Sequence, residues 1–245
     1  MSAILEVNHL TKRYRNGRGV EDVSFEVAEG EVFGLVGANG AGKTTLLKLL
    51  TGLLRPDCGT VRIAGHDIAE QFEQAMERVG CLIETADACG HLTAYEHLKL
   101  AARFYPSLPA SRIGEALEQA GLAARAKERV AGFSLGMKQR LGLALALLAK
   151  PKLVLLDEPS NGLDVQGMID LRQTVVRLAR EEGTAFLLSS HLIHDLSLMV
   201  TRTGIMEEGR LIGMADPRRL EEQGTTLEAY AVSQIQSWKE EARYA

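Results

Sequence analysis

The sequence predicts an α/β fold with an N-terminal antiparallel β-subdomain and an inserted α-helical subdomain. Three stretches carry that reading. The run Glu31-Val32-Phe33-Gly34-Leu35-Val36 leads into a glycine-rich turn and then into Leu46, Leu47, Leu49 and Leu50 at helical spacing. Leu153-Val154-Leu155-Leu156 is apolar without a break, as in a parallel strand buried on both faces. Between these two, residues 85–149 read as helical throughout.

The elements follow in order. Residues 3–30 hold two alternating strands, around Ile4-Leu5-Glu6-Val7 and Val23-Ser24-Phe25-Glu26-Val27, with Gly17 and Gly19 at the turn. Arg55-Pro56-Asp57 breaks the chain after the leucine-rich helix, and Thr60-Val61-Arg62-Ile63 resumes a strand. Residues 71–78 look helical, and Val79-Gly80-Cys81-Leu82-Ile83 is a short strand ending at Glu84. In the helical subdomain Thr85 or Thr93 can cap a helix over residues 94–104, and Pro106 and Pro109 interrupt. Further helices are expected over residues 111–120 and 135–149. The core resumes with a helix over residues 165–182, a strand over 185–189 and two short strands over 203–206 and 211–213. The expected division is a domain over residues 3–215 and a polar, helical tail over 216–245.

Composition narrows the function. The chain has 245 residues, 46% hydrophobic and 24% charged, as in an ordinary globular protein. A net charge of −4, with no basic stripe, argues against a nucleic-acid partner. Three cysteines, Cys58, Cys81 and Cys89, without a C-x-x-C pair point to a reducing compartment. Cys89 and His91 alone do not make a metal site. The N-terminus lacks the pattern of a signal peptide, and the longest apolar run falls short of the ~20 residues of a membrane span. The chain is expected to be cytosolic unless a partner holds it at a membrane.

Gly37-Ala38-Asn39-Gly40-Ala41-Gly42-Lys43-Thr44-Thr45 has the spacing G-x-x-x-x-G-K-[ST] between a strand and a helix, and defines a P-loop NTPase core. Glycines let backbone N–H groups turn inward around a phosphate, and the following helix aims its positive end at the same anion. Lys43 can reach the β- and γ-phosphates of a nucleoside triphosphate, and the Thr44 hydroxyl can join a Mg²⁺ shell. Asp157 and Glu158 end an apolar strand, where open α/β sheets bind ligands. Asp157 suits the metal role and Glu158 the general base, a role worth about 10²–10⁴ in rate. Ser134 and Gly136 open a helix, and form either a second anion site or simply a serine cap. Tyr14, beside Lys12, Arg13 and Arg15, can stack on a base or close a sheet edge.

The ordered set of P-loop, helical insertion, Phe133-Ser134-Leu135-Gly136-Met137-Lys138-Gln139-Arg140, strand with Asp157-Glu158, Asn161-Gly162-Leu163-Asp164 and Ser190-His191 resembles the ATPase subunit of ABC transporters. The resemblance covers residues 3 to about 215. It implies two subunits packed head to tail, as a homodimer or a heterodimer, with each ATP between one P-loop and the other subunit's Ser134 and Gly136. It assigns adenine stacking to Tyr14, the signature contacts to the γ-phosphate to Ser134 and Gly136, a loop exchanged across the dimer to Asn161 through Asp164, and a γ-phosphate contact to His191. It also implies an integral membrane permease subunit on a separate chain, which would hold this one peripherally on the inner face of the cell membrane.

Two departures stand out. Leu135 and Met137 flank Gly136 where the family usually reads Leu-Ser-Gly-Gly-Gln, and Glu84 stands where most members carry a glutamine near Mg²⁺ and water. Glu84 thereby joins the candidate catalytic and metal-binding residues. Ile83-Glu84, His91-Leu92-Thr93-Ala94-Tyr95-Glu96-His97-Leu98 and the Phe133–Leu141 stretch are similar to the branch that exports bacitracin, lantibiotics and other drugs. An importer ATPase shares every motif. A soluble ABC protein of DNA repair would carry a long coiled coil, a translation factor two cassettes, and a nucleotide kinase has no use for residues 133–140.

Overall fold

The structure is a computed structural model that describes residues 2–84 and 88–244. Strands β1 (Ala3–Arg13) and β2 (Gly19–Ala28) pair antiparallel, with Leu5 opposite Val27 and Val7 opposite Phe25. Their alternation buries Leu5, Val7, Leu10, Val23 and Val27. Strand β3 (Val32–Val36) is buried throughout and leads to helix α1 (Lys43–Leu50). Strands β4 (Cys58–Ile63) and β5 (His66–Asp67) extend the first sheet beside β1. Helix α2 (Phe72–Met76) is shorter than the periodicity predicts and precedes β6 (Val79–Leu82).

The helical segment holds α3 (Ala94–Ala101), α4 (Ser111–Gln119) and α5 (Leu135–Leu147). A 3₁₀ turn, Ala102–Phe104, finishes the first of these. Thr93 is the cap of α3: its hydroxyl accepts from the Glu96 N–H while the Glu96 carboxylate accepts from the Thr93 N–H. The alternative cap, Thr85, lies outside the described residues. The chain then continues through β7 (Leu153–Leu156), α6 (Val165–Glu182), β8 (Ala185–Ser190), α7 (Ile193–Ser197), β9 (Arg202–Glu207), β10 (Arg210–Ala215), α8 (Pro217–Glu222) and α9 (Leu227–Tyr244).

Among the described residues the strands form two sheets, in the orders β2-β1-β4-β5 and β10-β9-β3-β8-β7-β6. The first is antiparallel, and in the second only the edge strand β10 runs against its neighbour. One core lies between the sheets around α1, whose Leu46, Leu47, Leu49 and Leu50 have no exposed surface. Burying each such leucine stabilises the fold by about 1.5–3 kcal/mol. Leu153 and Leu155 of β7 face this core, and Val154 and Leu156 face a second one shared with α5 and α6. The sheet thus fixes α1 on one side and the helical segment on the other.

Two contacts hold α5. An added Cβ at Gly80 would lie 2.0 Å from the Ala146 carbonyl oxygen, so β6 and α5 touch backbone to backbone there. Arg112 of α4, 2% exposed, donates to the carbonyls of Leu147 and Leu148 and so satisfies the end of α5. The C-terminal residues are less polar in place than in composition. Leu220, Leu227 and Ala231 are buried, Tyr230 donates to the Met214 carbonyl, and Lys239 pairs with Glu207.

Candidate functional site: two clefts

The P-loop joins β3 to α1, and its geometry follows from its glycines. Gly42 has φ 103°, and a Cβ there would sit 2.9 Å from the Gly19 carbonyl oxygen. A Cβ on Gly37 would meet the Met206 carbonyl oxygen at 2.4 Å. The loop therefore lies flat against β9 and the β1–β2 turn, leaving Ala38, Asn39 and Gly40 exposed. A cleft of about 340 Å³ opens beside it, lined by Tyr14, Arg18, Gly40, Gly42, Thr44 and Thr45 among others. The structure thus brings Tyr14 to the P-loop although 30 residues separate Tyr14 from Thr44. Ala41 is buried behind the loop and its carbonyl accepts from the Gly209 N–H.

Lys43 is 5% exposed, and its ammonium donates to the carbonyls of Gly37 at 2.7 Å and Ala38 at 3.3 Å. The same ammonium lies 3.4 Å from Glu158 Oε1. Glu158 Oε2 pairs with His191 Nδ1 at 2.8 Å and accepts from the His191 N–H. A chain of Lys43, Glu158 and His191 results, reaching from α1 across the ends of β7 and β8.

Asp157 belongs to a second chain. Its Oδ2 accepts from the Thr44 hydroxyl at 2.7 Å and its Oδ1 from the Ser189 hydroxyl at 2.5 Å. Ser189, wholly buried, also accepts from the Glu158 N–H. It fixes both acids at once, and nothing in its own stretch of sequence marked it. Glu158 itself has φ 48°, a left-handed backbone that costs a residue with a Cβ about 1–2 kcal/mol. That turn lets its carboxylate face Lys43 and His191 while its neighbour Asp157 faces Thr44.

Glu84, at the end of β6, also has a left-handed backbone, φ 63°. Its carboxylate is bonded to the Lys48 ammonium at 2.5 Å rather than to Thr44 or Asp157. That hydrogen bond raises the Lys48 pKa above its ordinary value, with burial opposing it. Among the described residues no three His, Cys, Asp or Glu side chains gather into a metal site. The oxygen pair Thr44–Asp157 suits a hard cation that keeps water and phosphate ligands, which is the habit of Mg²⁺.

The other predicted residues stand in a different cleft. Ser134 caps α5, its hydroxyl accepting from the Met137 N–H, and Asp164 caps α6 by accepting from the Gly167 N–H. Gly136 packs on the loop ahead of α6, where a Cβ would approach the Gly162 carbonyl oxygen to 2.7 Å. Ser134, Gly136, Gly162, Asp164, Arg125 and Arg140 line a cleft of about 290 Å³. None of its lining residues belongs to the P-loop cleft. A larger groove of about 880 Å³, near Glu31 and α8, includes none of the predicted site residues.

A P-loop flanked by a strand-end Asp-Glu pair, on a parallel sheet with an added antiparallel sheet and helical segment, defines a nucleoside triphosphatase cassette. The ABC transporter family profile matches residues 20–161. The chain is 40% identical over 212 residues to the uncharacterized ABC transporter ATP-binding protein YhcH of Bacillus subtilis (strain 168), covering 86% of this chain and 70% of that one. It is 38% identical over 212 residues to the bacitracin transport ATP-binding protein BcrA of Bacillus licheniformis, with 86% and 69% covered. A solved ATP-binding subunit of an ABC transporter superposes with a TM-score of 0.84 at 31% identity, covering 95% of this chain and 99% of that one. The chain belongs to the ABC transporter family, as an ATP-binding, ATP-hydrolysing subunit.

Proposed function

We propose that two such subunits close head to tail around two ATP molecules, and that closure drives a permease on a separate chain to export an antibiotic, peptide or drug. The observation that carries the first half is the separation of the two anion-suited clefts, which share no lining residue within one chain. The second half is supported by the likeness to a bacitracin transport protein. Among the described residues no helix is long and apolar enough to cross a membrane. In this reading the permease supplies a membrane-spanning part and holds this chain at the inner face.

In this reading Lys43 leaves the Gly37 and Ala38 carbonyls for the terminal phosphates, and Tyr14 stacks on the adenine. Thr44 and Asp157 would hold Mg²⁺, which when bound neutralises charge on the phosphate oxygens. Losing the Lys43 contact frees Glu158 Oε1 to take a proton from the attacking water. His191 keeps the other carboxylate oxygen in place through Nδ1–H and, when its ring carries both protons, donates from Nε2 to the γ-phosphate. Ser134 and the backbone N–H groups at the start of α5, from the opposite subunit, complete the phosphate shell.

The test is Glu158→Gln run on a sizing column with and without MgATP. With hydrolysis blocked, MgATP is expected to convert the chain to a dimer that EDTA dissolves. A variant that binds MgATP yet stays monomeric at every concentration contradicts the composite site. Co-purification of an integral membrane protein, and bacitracin sensitivity on loss of the gene, check the transport half.

A further inference from the structure

Thr44 and Lys48 are four residues apart on α1, so both project from one face of the helix. Each meets an acid from a neighbouring strand end. Thr44 meets Asp157, just past β7, and Lys48 meets Glu84, just past β6. The two strands are parallel neighbours with Leu82 level with Leu156, and the Asp157 N–H donates to the Leu82 carbonyl at 2.8 Å. The two acids therefore end neighbouring strands over one helix face, with Glu84 one residue further on than the level of Asp157. Lys48 stands about 6 Å further along the helix than Thr44, away from the anion-binding end. Its partner is the acid, not the phosphates.

We propose that Lys48 is a latch on Glu84, holding its carboxylate against α1 so that it turns toward the Thr44–Asp157 pair only when Lys48 lets go. The inference rests on the reading that MgATP binds at the P-loop. Lys48 is thus a positioning residue that sets how strongly nucleotide binding depends on the metal. The latch is built to open: the Lys48 side chain is 31% exposed and that of Glu84 63%, so water competes for the pair.

The test is calorimetric titration with ATP in Mg²⁺ and in EDTA, reading the ratio of the two dissociation constants. Lys48→Met is expected to raise the metal preference about two- to fivefold, on the scale of one partly exposed ion pair. Lys48→Arg keeps the preference of the unaltered chain. Glu84→Gln lowers it, and adding Lys48→Met to Glu84→Gln changes nothing further. An equal shift from Lys48→Met with glutamine at position 84, or no shift with glutamate there, overturns the latch. If the unaltered chain binds ATP in neither buffer, the P-loop reading fails and the latch fails with it.

Discussion

The two clefts are built on different principles. Around the P-loop the charged and polar groups already answer one another: Lys43 with Glu158, Glu158 with His191, and Thr44 and Ser189 with Asp157. In the other cleft Ser134 and Asp164 serve only as helix caps, while Arg125 and Arg140 pair with Glu128 and Asp170 at its margins. The first cleft orders acid, base and cation before any ligand arrives. The second presents a helix start whose donors have an anion to gain. A preorganised set of acid, base and cation and a separate anion-suited helix start are what the proposed two-chain site requires of each chain.

The largest change should come from damaging the catalytic half alone. Glu158→Gln keeps the shape and removes the base, and is expected to lower ATP hydrolysis about 10²–10⁴-fold. ATP affinity of the monomer should remain, because Gly37 through Thr45 are untouched. Loss of binding together with turnover would mean that Glu158 holds the loop rather than the water.

Damage to the other half should spare nucleotide binding. Arg112→Leu leaves the carbonyls of Leu147 and Leu148 at the end of α5 without their buried donor. The expected cost is about 1–3 kcal/mol of stability, read from the urea midpoint. Hydrogen exchange should localise the loss to α4 and α5, with ATP affinity unchanged. A uniform loss across both halves would show that the helical segment and the P-loop core unfold as one unit.

Smaller still is the cap of α3. Thr93 N–H and hydroxyl bonds hold the Glu96 carboxyl below its ordinary value. A lowered folded pKa gives stability that is present above the usual glutamate range and is lost as pH falls through the depressed value. Thr93→Ala should flatten that part of the acid stability profile in the pH range below the ordinary carboxylate pKa. Because alanine keeps the backbone N–H, an unchanged acid limb would rule out only the Thr93 hydroxyl as its source.

These comparisons show what the sequence could and could not reveal. The P-loop strand, turn and helix were legible because all three signals are local and adjacent. So was α6, since Asp164 caps an amphipathic run that ends at Gly183 in a left-handed turn. Ser189 was not legible: a serine in an apolar strand acquires meaning only when β8 is laid beside β7. Nothing local set Lys48 apart, because its partner lies 36 residues away and is brought over by β6. Nothing in the sequence marked Arg112 as buried, and α7 was too short to leave a periodic trace. The C-terminal residues read as a polar tail because the few apolar positions that dock them are diluted by charge. Local pattern marked the chemistry of the P-loop, whereas strand order decided which side chains support it.

The most direct measurement mixes two crippled chains. Lys43→Ala and Ser134→Ala are each expected to be nearly inactive alone, the first lacking its own half-site and the second the half it lends. Random pairing leaves half of the dimers mixed, each with one intact composite site, so about a quarter of the original ATP hydrolysis should return. Hydrolysis by the mixture no greater than the mean of the two variants, or full activity of Ser134→Ala by itself, contradicts a site shared between two chains.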